Sequence, residues 1–578
     1  MSKSVSQGSK NRDLTKTLIV LILAAVAALI YVVSVFLAYQ VFQDTWLTDP
    51  LAEIHSLYPL YYIAIALAAL SVVACVLWRV GNRCIHVLLL LLFAVMLWLT
   101  PYWLTSFVRL GDSAWHVGVA MNIPQVLDGE QTVFSNYGWY YPGSFIYHYS
   151  FVKILGIQPL TYIHLYPLIC TLLFVILCYA LVAKLFGSKV ALLSMLIAIP
   201  GLHYLQLHPS PHSIGALLML TTLLLLTQRA AAVKVIPLAV ILIVIIIFTH
   251  PTTPLLLAIF LAAAFLVSVV YSRRIRRVQA ALAAILIICF GGWFIWNSFY
   301  PSHGMMSAAT IYEGMMPGGF SVGTGYLSGT RFVYSDIYNL NKGIYFLYAA
   351  VAVLAILYIF ARTYLEKRSV GKWICGLGGL NRIEALLALS VLPLLLLSFL
   401  LAENAHDLIE TGLTYIILAL SGVIASVVLR ARLVSKKAAP YLITIGALIL
   451  TLSFPVVAYS IDAYSSYPRS EEKGLEFLAS EEPLEGKTVV GSNLHQLSFY
   501  PQANLEQTEF FRFDSAQGVE PDVVVFRKSG YYYSAMRIDL SFERNRYTEY
   551  KGKIEAEQYD RVYSSPTFEV YLKGMVEQ

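Results

Sequence analysis

Apolar residues run along this chain in blocks of roughly 17–25, the length that crosses a bilayer as a helix, separated by short polar breaks. Thirteen such spans are expected, at about 17–41, 57–78, 85–104, 161–183, 188–203, 211–228, 235–249, 254–271, 279–299, 343–361, 383–401, 412–429 and 440–459. From about Ser460 the pattern changes. The remainder is charged and Tyr-rich and has no further span. There, 470–480 reads as a capped helix. KTVVGSN (487–493) and DVVVFRKS (522–529) read as buried strands, and YDRVYSSPTFEVYLK (559–573) as a hairpin turning at Ser-Ser-Pro.

The expected fold is therefore a polytopic α-helical membrane protein with a small C-terminal α/β domain. Residues 1–459 would form the membrane part and 460–578 a soluble unit of ordinary domain size. Composition agrees: of 578 residues, 58% are hydrophobic and only 13% charged, about half the charge of a soluble protein. Six cysteines all lie in or beside apolar runs, which points to buried thiols rather than a disulfide framework.

Charge sets the expected sides. With the N-terminus placed inside, 23 of the 40 Lys and Arg fall on inner segments and only Arg109, Lys153, Arg331 and Lys342 on outer loops before residue 460. That asymmetry predicts a cytoplasmic N-terminus and an extracellular C-terminal region in the cell membrane. The basic inner loops read as topology determinants, so no nucleic-acid partner is expected. Acids and histidines show the opposite bias and gather on the outer face, His86 being the inner exception among the histidines of the membrane part.

The densest outer segment follows the span ending near Leu104. It reads RLGDSAWHVGVAMNIPQVLDGEQTVFSNYGWYYP, from Arg109 to Pro142. Asp112 stands just beyond the apolar run. A carboxylate there is a candidate general base, and it is equally a candidate helix N-cap. His116 shares its face if the segment is helical. Trp139, Tyr140 and Tyr141 suit sugar stacking or interfacial anchoring. His208, His212 and His250 lie in the corners LHPSPHS and FTHPTTP and are candidates for a phosphate or sugar hydroxyl. His208 and His212 have a metal-compatible spacing, but Pro209 and Pro211 break its geometry. Arg331 and Lys342 are candidate cations for a phosphate. The outer loop 300–342, rich in Gly, Ser, Thr and Met, reads as a flexible lid. Glu403 and Asp407, with Asp112, are candidates for holding a divalent cation such as Mg or Mn.

The segment GDSAWHVG in an outer loop, many short-looped spans and a C-terminal extracytoplasmic region together resemble GT-C fold membrane glycosyltransferases. That group includes protein O-mannosyltransferases, aminoarabinose transferases and oligosaccharyltransferase catalytic subunits. SPHSIGALLMLTTLLLL (210–226), THPTTPLLL (249–257) and the closing hairpin look like segments of its archaeal and bacterial members. Two spans precede the one leading to Asp112, where the family usually has none, and the WWDYG signature is absent. The resemblance implies an inverting glycosyltransferase using a polyprenyl (dolichyl)-phosphate sugar as donor, with Asp112 as the base. The acceptor would be a glycan, lipid or protein hydroxyl at the outer face, amid membrane lipids. Competing readings are a lipid-linked saccharide flippase or transporter, a polymer ligase and a non-catalytic scaffold. Span centres almost free of charge argue against ion-coupled transport.

Overall fold

The computed structural model describes residues 2–45, 52–104, 109, 111–124, 140–202, 207–227, 232–272, 277–299, 406–430 and 439–459, together with shorter stretches between 473 and 573. It is mostly helical. In chain order the helices are α1 (Ser2–Thr45), α2 (Ala52–His55), α3 (Pro59–Trp78), α4 (Arg83–Trp98), α5 (Thr100–Leu104), α6 (Gly111–Met121), α7 (Pro142–Leu155) and α8 (Pro159–Phe186). They continue as α9 (Ser188–Gly201), α10 (Pro211–Leu226), α11 (Ala232–Thr249), α12 (Thr253–Ser272), α13 (Arg277–Phe299), α14 (His406–Arg430) and α15 (Ala439–Ala458).

Eleven of the thirteen expected spans coincide with a helix; those at 343–361 and 383–401 lie outside the described residues. Among the described residues, Asp13–Phe42, Pro59–Trp78 and Pro159–Phe186 are long and apolar enough to cross a membrane. Shorter apolar helices accompany them, so the chain is that of a membrane protein. Large apolar side chains such as Leu29, Val32 and Phe36 on α1 and Ile287 on α13 are exposed, as lipid-facing residues should be.

Local chemistry explains the helix ends. Pro occupies the first turn of α3, α7, α8 and α10, where its missing N–H has no partner to lose. Arg79 ends α3 in the left-handed conformation (φ 61°), and Asn82 caps α4 by accepting from the Cys84 amide at 2.9 Å. His86 bonds the Tyr179 hydroxyl (2.8 Å) and the Val80 carbonyl (2.6 Å), tying this corner to α8. Hydroxyls tie distant helices together: Tyr61 on α3 meets Tyr459, just past α15, at 2.8 Å, and Tyr31 on α1 meets Thr100 on α5 at 2.8 Å. Cys75, Cys170, Cys178 and Cys289 are buried free thiols, as expected; Cys84 is free and exposed, and Cys375 lies outside the described residues.

The described strands all follow residue 487. They are β1 (Thr488–Gly491), β2 (Glu509–Phe511), β3 (Val523–Arg527), β4 (Tyr559–Ser564) and β5 (Phe568–Lys573), in one sheet of order β2-β1-β3-β5-β4. β1 pairs in parallel with β2 and β3, while β5 runs antiparallel to both β3 and β4. The two strands and the hairpin expected from sequence are all present; β2 is an additional parallel edge strand. The register of β1 against β3 is anchored at Asp522, whose carboxylate accepts the Thr488 amide at 2.8 Å. Residues 473–475 and 477–478 are helical, within the stretch expected to form a capped helix.

Candidate functional site

The segment after α5 is not a plain loop. It holds two helices, α6 and α7, that carry histidines toward those of the corners LHPSPHS and FTHPTTP. Asp112 is the second residue of α6, and His116 stands one turn further along. Asp112 thus lies inside the first turn rather than at the cap position.

Five imidazoles come together here: His116 from α6, His148 from α7, His208 and His212 at the start of α10, and His250 just before α12. All are buried, His116 most exposed at 8%. His116 lies 6.0 Å, centroid to centroid, from both Phe145 of α7 and His208. His212 and His250 stack at 5.4 Å. His148 bonds the Tyr162 hydroxyl through Nδ1, and its ring lies 5.3 Å from that of Tyr166. Tyr166 in turn meets the Ser213 hydroxyl at 2.7 Å, so α8 supports the cluster from beneath.

The prolines decide how the corner histidines are presented. His208 sits in a bend before the helix and His212 is its second residue, so the two do not share a helical face. Ser210 between them is the N-cap of α10 and accepts the Ser213 amide at 3.2 Å. His250 follows the end of α11, and its Nδ1 lies 3.0 Å from the Thr252 hydroxyl and 2.9 Å from that of Thr253.

Close helix approach brings these ends into one place. A Cβ on Gly143 would come within 2.8 Å of Thr249 Oγ1, and one on Gly215 within 2.7 Å of Thr253 Oγ1 and 3.3 Å of His250 Cβ. Only glycine lets α7 meet α11, and α10 meet α12, at these points. α13 closes the back. Trp293 Nε1 donates to the Pro251 carbonyl at 2.6 Å and Trp296 Nε1 to the Tyr140 carbonyl at 2.9 Å.

The electrostatics follow from this arrangement. The N-terminal ends of α7, α10 and α12 converge on the histidines, and a helix N-terminus carries unsatisfied N–H groups and partial positive charge. Burial, reinforced by the neighbouring His116 and His208, pushes the His148 imidazole down to about 3, the Ser210 carbonyl acting the other way. Burial, then His212 and His116, holds His250 well below its ordinary value. Around neutral pH both are neutral, with hydrogen-bonding nitrogens and no charge of their own. Such an arrangement can receive an anion or a set of hydroxyls.

Of the other residues expected at a site, Tyr141 is buried at 2% exposure and immediately precedes α7. Tyr140 is half-buried beside Trp296. Trp139, Arg331, Lys342 and Glu403 lie outside the described residues; Asp407 is on the first turn of α14. Among the described residues no three His, Cys, Asp or Glu side chains are placed to hold a metal ion. His148 was not among the expected site residues. Its signal was the helical period of 142–155, where Ser144, Phe145, His148 and Val152 form the buried face.

No family model matches the chain, and no curated protein matches it. Solved structures do. The Archaeoglobus fulgidus oligosaccharyltransferase in complex with Zn and sulfate is 14% identical over 84% of this chain and 73% of its own, with a TM-score of 0.49. ArnT from Cupriavidus metallidurans bound to undecaprenyl phosphate is 11% identical over 86% of this chain and 99% of its own, with a TM-score of 0.46. AglB from Archaeoglobus fulgidus, with an inhibitory peptide and a dolichol-phosphate, is 15% identical over 85% and 74%, with a TM-score of 0.46.

The chain is thus similar to solved oligosaccharyltransferase and ArnT structures over most of its length.

Proposed function

We propose that this chain is an inverting glycosyltransferase. It moves a sugar from a polyprenyl (dolichyl)-phosphate to an acceptor hydroxyl at the outer face of the membrane. The observation that carries the reading is the convergence of three helix N-termini and five buried imidazoles beside the helix that bears Asp112. A phosphate leaving group needs such a place, with donors aimed at its oxygens and low water access.

In the proposed reaction Asp112 takes the proton of the acceptor hydroxyl. The oxygen attacks the anomeric carbon from the face opposite the phosphate. The bond between that carbon and the phosphate oxygen breaks, and the configuration inverts. The leaving phosphate is met by the starts of α10 and α12, with His208, His212 and His250 donating to it. His116, one turn from Asp112, orients the acceptor or the sugar. Tyr140 and Trp139 flank the sugar, and Arg331 or Lys342 adds charge to the phosphate. Residues 460–578 form a separate extracellular unit that binds the acceptor.

The test is sugar transfer from polyprenyl-phosphate mannose and glucose by the purified protein in lipid nanodiscs, beside Asp112→Asn. The reading predicts release of polyprenyl phosphate by the wild type and a loss of about 10²–10⁴-fold in the variant, the usual worth of a general base. Transfer by Asp112→Asn at the wild-type rate would remove Asp112 from the mechanism. No consumption of any lipid-phosphate sugar by the wild type would remove the transferase reading itself.

A further inference from the structure

Apart from the histidines, one buried ionic contact stands next to the Asp112 helix. Arg109 is three residues before Asp112 and two before the start of α6. Its Nη1 lies 3.1 Å from Glu53 Oε1, and its Nη2 donates to Glu53 Oε2 at 3.3 Å. Both side chains are buried, Arg109 at 5% and Glu53 at 0% exposure. The guanidinium also lies 5.2 Å from the centre of the Tyr102 ring on α5. Glu53 belongs to α2, the short helix after α1, 56 positions earlier in the chain.

Two charges taken out of water give back little net stability, and apolar replacements of similar volume often serve as well. What the pair supplies is geometry. The Nη2 hydrogen bond to Oε2 and the close ionic approach of Nη1 to Oε1 hold the guanidinium against Glu53 at two points, and the Tyr102 ring lies against its other side. The first turn of α6 therefore starts from a point fixed to both α2 and α5. The geometry points to Glu53 and Arg109 as positioning residues that set where Asp112 stands, an inference that rests on the reading of Asp112 as the base. Neither touches the substrate; they act through the start of α6.

The test separates position from stability. The double variant Glu53→Met/Arg109→Met is made in the full chain in nanodiscs and read in three ways: Tm, amide hydrogen exchange across 111–121, and the kinetics of sugar transfer. The expected result is a Tm at or near the wild-type value, exchange across 111–121 faster by about tenfold, and kcat lower by about 100-fold with KM unchanged. A variant that keeps its Tm together with wild-type exchange at 111–121 overturns the inference. Where the double variant does not fold, Arg109→Lys, which keeps the charge and loses the fork, is read in the same three ways; wild-type exchange and kcat there also overturn it. The exchange readout is independent of activity. If the wild type transfers no sugar, the base reading falls, while the exchange data still decide whether the pair positions α6.

Discussion

His212 and His250 stack with their ring centroids 5.4 Å apart and their planes 14° from parallel. Each stands at the start of a different helix, α10 and α12. Two imidazoles this close and this buried do not both carry a positive charge without an anion between or beside them. His250 is held well below its ordinary value by burial and by His212 and His116. A bound phosphate reverses that balance and favours the charged ring. Binding should therefore take up protons, and affinity should rise as pH falls from about 8 to about 6. Farnesyl phosphate serves as a soluble probe. Calorimetry in two buffers of different ionisation heat measures the uptake directly, and equal heats after correction for dilution would show that the histidines do not meet the phosphate.

His148 makes a prediction about stability. Its imidazole is pushed down to about 3 in the folded protein from an ordinary value of 6.5. Between these values the unfolded chain binds more protons than the folded one, so stability rises with pH there. The contribution is complete above pH 6.5 and is lost progressively as pH falls toward 3. Thermal unfolding of the full chain in nanodiscs should show a falling Tm across that window. His148→Gln, which keeps a hydrogen-bonding side chain and cannot titrate, should flatten the slope.

Gly215 tests the close approach of α10 to α12. Ala at this position would put a methyl 2.7 Å from Thr253 Oγ1 and 3.3 Å from His250 Cβ. Gly215→Ala should cost about 1–3 kcal/mol and weaken binding of the phosphate probe, because the two helix starts are forced apart. Gly446→Ala on α15, where nothing lies within 4 Å, is the control and should leave both unchanged. Denaturation midpoints and probe affinity decide it.

Trp293 reaches the site from behind. Its indole N–H donates to the Pro251 carbonyl at 2.6 Å, and the ring is 2% exposed. Trp293→Phe leaves that carbonyl without its donor and opens space at the corner carrying His250. The expected cost is about 1–3 kcal/mol, with weaker probe binding although Trp293 does not face the probe. Unchanged affinity at a lowered Tm would show that the corner holds its shape without this bond.

Much of the fold was legible because the membrane imposes a plain code. Runs of apolar residues long enough to span mark helices whatever their partners, and every expected span within the described residues is helical. The strands at 488–491, 523–527 and 559–573 were legible for a similar reason, each an apolar or alternating run bounded by turn residues. β2 was not, since Glu509–Phe511 is three residues long and owes its strand form to pairing with β1.

The site was legible in parts. His116 could be named from its spacing to Asp112, and His208, His212 and His250 from their Pro-flanked corners, yet nothing in the sequence said that α6, the start of α10 and the α11–α12 corner would bring them together. Gly143 and Gly215 permit that meeting, and a glycine's value as a close-approach point shows only when the second helix is in place. Glu53 and Arg109 belong to different segments, and no local periodicity links residues so far apart in the chain.

The hydrogen bond between Tyr61 and Tyr459 has a temporal side. Its partners are 398 positions apart, so the early helix leaves the ribosome long before its partner exists. Until α15 has been made and inserted, α3 holds a phenolic hydroxyl that has no Tyr459 to meet. The clasp between α3 and α15 thus waits for a segment made much later, and the bundle matures around a joint that its early helices cannot close alone.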